Sequence, residues 1–307
     1  MRREASARAK PRSSRVTLRI LLLSILGATV AIVLSPVTVL NLLAPTSGVT
    51  REVNVRYGAG PRQQLDLYRP RNAKTAPIAV FMYGGSWQRG EKESYAFLAN
   101  ALARRGIVVA VPDYTLYPEA GFPRFLEDTA AAVAWASAWA KRESADAGAA
   151  PRQLVLMGHS AGAHIAAMLA YDARWLAPHG LDPRRDIAGF VGLAGPYDFL
   201  PIKDPLIQRV FQHPELETTQ PITFVKGGEA PTFLGVSPSD TVVRPGNSER
   251  LARRLESGGA RVVLQAYPRT NHLTLVGSFS PLLSFLAPVA ADVAHFIHGL
   301  PNSKLAR

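Results

Sequence analysis

The 307-residue sequence predicts an α/β protein: a mostly parallel eight-stranded sheet with helices on both faces, preceded by one N-terminal transmembrane helix. Three observations predict it. Short runs rich in Val, Ile and Leu alternate with helical stretches, the rhythm of strands covered on both faces and joined by crossover helices. The first two runs are more strictly alternating, which suits an antiparallel edge. Ahead of them, residues 20–44 contain no charged side chain.

The strands are expected at 52–57, 64–69, 78–83, 107–111, 154–157, 189–193, 232–236 and 261–267. Helices fall between them. The helix over 93–105 stops at Gly106, a residue suited to a left-handed helix end. That over 122–142 carries Pro123 in its first turn, where proline is tolerated. The helix over 161–171 follows a strand directly, 247–257 stops at Gly258-Gly259, and 281–298 closes the chain. Residues 201–228, rich in Pro, Gln and Thr, break the rhythm just after a strand. They read either as a lid over the carboxyl edge of the sheet or as a surface loop with a short helix.

The amino-terminal run is long enough, at 1.5 Å per helical residue, to cross a hydrocarbon core of roughly 30 Å. Residues 1–19 carry seven basic side chains against Glu4 alone, half of the net charge of +12. The positive-inside bias therefore makes 1–19 a cytoplasmic tail, 20–44 a signal anchor, 45–52 a linker, and 53–307 a domain outside the cytoplasm. A cleaved and exported signal peptide is the alternative.

The rest of the charge is spread thinly, with no Lys/Arg stripe interleaved with aromatics, so nucleic acid is not an expected partner. The chain has no cysteine, which excludes disulfides, thiolate metal sites and a cysteine nucleophile.

Chemistry enters at Gly158-His159-Ser160-Ala161-Gly162. This G-x-S-x-G stands between a predicted strand and a predicted helix, the setting in which a sharp turn lifts a serine hydroxyl clear of the sheet edge. Glycines are needed where a side chain would strike strand or helix. The helix N-terminus beneath Ser160 favours developing negative charge.

A second turn, Gly84-Gly85-Ser86-Trp87, follows the strand ending at Tyr83. Its backbone can expose N–H groups, and the amides of Gly85 and Ser86, with that of Ala161, are the candidate oxyanion donors. Tyr83 and Trp87 are the candidate substrate contacts.

On such a scaffold an acid and then a histidine follow the serine along the chain. His179, His213, His272, His295 and His298 are available. His272 follows the last strand through a short loop, at the carboxyl end where ligands gather in open α/β sheets. The other four lie in loops without a preceding strand or in the closing helix. Asp240, in the loop after the preceding strand, is placed to orient the imidazole; Asp198 comes one strand earlier. His159 and His164 flank the serine too closely to swing onto it and read as packing or hydrogen-bonding residues.

These segments carry a family likeness. Residues 53–299 resemble the α/β-hydrolase esterases related to hormone-sensitive lipase, the feruloyl-esterase-like carboxylesterases and kynurenine formamidase. Tyr83-Gly84-Gly85-Ser86-Trp87 resembles the HGGGW oxyanion segment, with tyrosine for histidine and serine for a glycine. Asp113-Tyr114-Thr115-Leu116-Tyr117-Pro118-Glu119 resembles DYRLAPE, with threonine for arginine. Residues 158–162 are identical to the GHSAG elbow, and Asp240 and Asn271-His272 are similar to its acid and base loops.

The resemblance implies a serine hydrolase that cleaves carboxylic esters, whether small-molecule or lipid, through a Ser160–His272–Asp240 triad, with no metal and no organic cofactor. An arylformamidase-type amide hydrolase, or a non-catalytic membrane-tethered binding module on the same scaffold, stand as alternatives.

Overall fold

A computed structural model describes residues 36–71, 75–149 and 152–301. Eight strands form one sheet: β1 (Val49–Arg56), β2 (Gln64–Pro70), β3 (Ile78–Met82), β4 (Val108–Pro112), β5 (Leu154–His159), β6 (Gly189–Leu193), β7 (Thr232–Val236) and β8 (Val262–Ala266). Their order across the sheet is β1-β2-β4-β3-β5-β6-β7-β8. The two contacts made by β2 are antiparallel and every other pair is parallel. Burial grades as the composition of the runs requires: β3 to β7 are buried at every residue, whereas β1 and β8 face water at the two edges.

The crossovers locate the working edge. From β3 the chain passes through α2 (Ala96–Ala103) to β4 on one side, then through α3 (Arg124–Asp146) past β3 to β5 on the other. Because such crossovers are right-handed, the reversal puts α2 and α3 on opposite faces. It also makes the carboxyl ends of β3 and β5 the point where the connections diverge, the place where open α/β sheets bind ligands. From β5 onward α4 (Ala161–Tyr171), the short α5 (Pro183–Asp186) and α7 (Gly246–Ser257) continue in the second direction, and α9 (Val289–His298) returns to pack on α2.

Local sequence accounts for the elements. In α7, Leu251 and Leu255 lie one turn apart and are fully buried while Arg250, Arg253 and Arg254 face water, the stripe expected of a helix covering a sheet. In α4 nearly every residue is buried. Its small side chains let the helix sit close on the central strands.

Several expected boundaries shift. The helix expected over 281–298 begins only at Val289. Pro288 lacks the N–H a longer helix would need and cannot sit inside one, so 281–286 forms turns instead. The helix expected over 93–105 starts as a 3-10 turn, Lys92–Tyr95.

The expected span 20–44 lies mostly outside the described residues. Of this expected span only 36–44 lies within the described residues, and it docks on the domain. Helix α1 (Pro36–Leu42) buries Leu40, and Asn41 donates to Glu93 O at 2.9 Å and accepts from Phe97 N at 2.9 Å. The rest, 20–35, and the tail 1–19 lie outside the described residues. Among the described residues no helix is long and apolar enough to cross a membrane.

Residues 201–228 contain the helix α6 (Pro205–Val210) and two 3-10 turns, Leu216–Thr219 and Pro221–Phe224. The segment is tied down at several points. Val210 O accepts from Phe122 N, Gln220 Oε1 accepts from Phe199 N, and Phe211 is buried.

Candidate active site

The turn after β5 is built on backbone contacts. Ser160 holds φ 55° and ψ −125°, a region costly for a side-chain-bearing residue. It is held there because strand, turn and helix are pressed together. A Cβ on Gly158 would lie 2.2 Å from Gly162 O, and one on Gly162 would lie 2.0 Å from Met82 O. Only glycine permits either approach. Ser160 N donates to Leu193 O of β6 at 2.9 Å, and Ser160 O accepts from Ala163 N and His164 N.

The imidazole arrives from 112 residues downstream. It was expected in a loop; it is instead the first residue of the short helix α8 (His272–Gly277). Asn271 caps that helix, accepting from Leu273 N and Thr274 N, and Thr274 Oγ1 reciprocally accepts from Asn271 N. This capping box fixes the chain direction at His272. Two further ties lock the loop. His159 Nε2 donates to His272 O at 3.0 Å, and the hydroxyls of Ser237 and Ser239 both donate to Thr270 O.

In this frame Ser160 Oγ lies 2.9 Å from His272 Nε2, and His272 Nδ1 lies 2.7 Å from Asp240 Oδ2. An ionised carboxylate only accepts, so Nδ1 carries the proton, Nε2 is bare, and the serine hydroxyl donates to it. Asp240 is buried, and its other oxygen accepts from Val242 N and Val243 N, both at 2.9 Å. Burial alone would push this carboxyl up. The His272 hydrogen bond and the two amides outweigh it and hold Asp240 below the ordinary carboxylate value.

The rival residues are elsewhere. Asp198 is engaged by Arg250 at the surface, His179 is exposed, His213 bonds within its own loop, and His298 pairs with Arg105 O. Burial, and then the neighbouring His272, push His159 down to about 3; burial pushes His164 down to about 4. Both are neutral structural groups.

The turn after β3 faces the elbow. Gly85, Ser86 and Trp87 have φ of 139°, 55° and 58°. A Cβ on Gly85 would meet Arg89 O at 1.9 Å, and one on Gly84 would meet Ser160 Cβ at 2.9 Å, so the turn lies directly against the serine. Among the described residues no protein acceptor takes the amide protons of Gly85, Ser86 or Ala161. Ala161 is the first residue of α4, where a helix leaves its N–H free.

Tyr83 and Trp87 do not sit where substrate contacts should. The Tyr83 ring is fully buried between Tyr95 and Tyr114. Its hydroxyl donates to Asp113 Oδ1 at 2.8 Å and accepts from Arg62 Nη2 at 2.8 Å. A phenol so placed braces the turn and cannot reach a ligand. Trp87 is only 4% exposed and packs among His164, Phe199 and Phe211. Its contact with Phe211 holds the 201–228 segment against the elbow helix, where His164 also donates through Nε2 to Thr219 O.

Arg62 is the site residue that sequence reasoning missed. From the β1–β2 loop its guanidinium donates to Tyr114 O, Tyr83 Oη and Gly90 O, at 2.7–2.8 Å. Asp113 also accepts from Lys92 N. The turn is thus clamped at both ends by side chains remote in sequence. Among the described residues no group of three His, Asp or Glu side chains is disposed to hold a metal.

The chain is similar to known proteins. The BD-FAE family model matches residues 65–255, well over half of the chain and all of both turns. The chain belongs to the BD-FAE family.

Named proteins are similar to it in sequence. A probable isoprenylcysteine alpha-carbonyl methylesterase of Oryza sativa subsp. japonica is 30% identical over 72% of this chain and 57% of its own length. Kynurenine formamidase of Salmo salar is 28% identical over 73% and 75%, and esterase LipC of Mycobacterium tuberculosis is 32% identical over 62% and 51%. The chain therefore spans little more than half the length of the methylesterase and of LipC. Among solved structures, esterase B from Lactobacillus rhamnosis aligns over 91% of this chain and 96% of its own, with TM-score 0.71 and 18% identity. An esterase of Pyrobaculum calidifontis aligns over 85% and 89%, with TM-score 0.67 and 22% identity. This BD-FAE member has the α/β-hydrolase fold.

Proposed function

We propose that the chain hydrolyses carboxylic esters through an acyl-enzyme formed on Ser160. One observation carries the reading: a serine in a strained turn donates to the bare nitrogen of an imidazole whose other nitrogen is held by a buried carboxylate. Esterases among the relatives support it. His272 removes the Ser160 proton as the oxygen attacks the ester carbonyl, and returns it to the departing alkoxide. Asp240 holds the tautomer and steadies the transient imidazolium. The amides of Gly85, Ser86 and Ala161 take the charge of the tetrahedral oxygen. Water then attacks the acyl-enzyme by the same route in reverse.

Fluorophosphonate labelling tests it directly. The native chain should be labelled at Ser160 and should hydrolyse p-nitrophenyl acetate. Ser160→Ala should lose both, with turnover down by on the order of 10⁶-fold. Full activity in that variant, or labelling at another residue, overturns the assignment.

A second reading is hydrolysis of a formamide. It is favoured by the kynurenine formamidase relative, which matches this chain over most of both lengths. The same residues serve it, with His272 protonating the departing amine. Comparing kcat/KM for formanilides and aryl acetates separates the two.

The amino-terminal segment is proposed as a membrane tether. With 36–44 docked on the domain, the uncharged run 20–35 would reach about 24 Å as a helix, just short of the roughly 17 residues of the shortest spans. It would tether by thinning the bilayer or by drawing on flanking residues. Resistance of the full chain to carbonate extraction tests the tether, and a shortened mature chain would reveal cleavage instead.

A further inference from the structure

The described surface carries an apolar patch where the uncharged run enters the domain. On α1 and just after it, Leu42 and Leu43 are 69% and 56% exposed. In the turns before α9, Leu282 and Phe285 are 47% and 66% exposed. The two segments are neighbours. Leu40 and Leu283 both close on Gly277, and a groove nearby is lined by Pro45, Phe97, Pro281 and Ser284. Arg104 and Arg105 rim the groove, both exposed, with no carboxylate in ion-pair range among the described residues. Exposed leucine and phenylalanine side chains gathered in this way mark a contact surface. Bordered by arginines, it fits the interface of a bilayer with anionic headgroups, into which leucine and phenylalanine insert while the cations stay at headgroup level.

We propose that this face docks the domain onto an anionic lipid bilayer. Three features select lipid as the occupant. The chain reaches the patch at Pro36 directly from an uncharged run, 20–35, itself preceded by seven basic residues. Among the described residues, the charged side chains lining the groove, Arg104 and Arg105, are cationic. Helix α8 begins with His272 and ends at Gly277 under the patch, so the reacting centre lies about one short helix, on the order of 9 Å, from the docked surface. Resting on the hydrolase reading, the docking also names a substrate class: amphiphilic esters that enter the cleft from the membrane.

The sequence lacks cysteine, so single labels are clean. Full-length Phe285→Cys and Leu43→Cys, carrying an environment-sensitive nitrobenzoxadiazole dye, would be reconstituted in phosphatidylcholine vesicles with and without phosphatidylglycerol. Arg184→Cys, at the amino edge of the sheet, is the aqueous reference. The expected result is a blue shift at 285 and 43 but not at 184, with loss of most of that emission when the acyl chains are brominated. The loss should deepen with phosphatidylglycerol, and Arg104→Gln with Arg105→Gln should abolish the deepening.

A blue shift without bromolipid quenching means that 20–35 or a second copy covers the patch, and overturns the proposal, as does an unshifted dye. Melting temperatures matching the unlabelled chain exclude misfolding. Fluorophosphonate labelling of the same vesicles keeps the two readings apart. Quenching without labelling at Ser160 sinks the hydrolase reading alone, and labelling without quenching sinks the docking alone.

Discussion

The two turns that meet at the cleft are strained to similar degrees and held in different ways. At the elbow, Ser160 (φ 55°) is fixed by backbone pressed on backbone, with Gly158 and Gly162 admitting the contact. At the turn after β3, Ser86 and Trp87 (φ 55° and 58°) are fixed from outside by Arg62, Asp113 and the Tyr83 hydroxyl. Each such residue stores roughly 1–3 kcal/mol of strain, which surrounding structure must offset. Backbone packing has no intermediate setting, whereas a clamp of several hydrogen bonds can lose one and loosen. Damage on the elbow side should therefore be severe, and damage to the clamp graded.

That difference can be broken by measurement. The largest effect is expected at Asp240→Asn. The amide cannot hold the imidazole proton on Nδ1, so turnover should fall about 10⁴-fold with the fold intact. A drop no larger than that from losing Arg62 would erase the distinction between the two sides.

Next comes acid. His159 and His164 flank Ser160 and are held neutral, pushed down to about 3 and about 4 against 6.5 for a free imidazole. Unfolding releases both to take up a proton. The unfolded chain therefore binds more protons below about 6.5, and stability present at neutral pH is lost as pH falls from there toward the folded values. By pH 5 the loss is roughly 2 kcal/mol for each histidine. Melting temperatures at pH 7, 6 and 5 should drop steeply, and His164→Phe should flatten the drop. A pH-independent melt contradicts the buried-neutral assignment.

Gly162→Ala places a Cβ 2.0 Å from Met82 O and 2.4 Å from Tyr83 O, both backbone atoms. It should cost upwards of ~3 kcal/mol and abolish fluorophosphonate labelling. An alanine variant that labels normally would show that the elbow can relax.

The mildest change is Arg62→Gln, which removes the clamp and leaves every reacting group in place. We expect kcat down about 10²-fold with KM within a few-fold, because a slackened turn misplaces the oxyanion donors without altering ground-state binding. Arg62→Lys should restore little, since a point charge cannot reach three acceptors at once. Equal loss in kcat and gain in KM would assign Arg62 to binding instead.

Legibility in the sequence follows the same division. The elbow could be read because strain, glycines and helix N-terminus all lie within five consecutive residues. The sheet could be read because central and edge strands differ in apolar pattern, although the closing helix and the start of α8 depended on Pro288 and on the Asn271 cap. The roles of Tyr83 and Trp87 were misjudged because proximity to a motif does not say which way a ring points. Trp87 turned inward to Phe199 and Phe211, over a hundred residues away.

From the sequence by itself came the α/β class, the antiparallel edge, the elbow, and the order serine, acid, base. Hydrophobic periodicity and backbone sterics act over a few residues and so are written in the chain. Only the tertiary structure decided that Arg62 clamps the turn after β3, that His159 and two serines lock the His272 loop, and that 36–44 packs on the domain. Those outcomes rest on hydrogen bonds and burial between segments that meet only once the sheet has formed, and no local pattern encodes which partner each polar group will find.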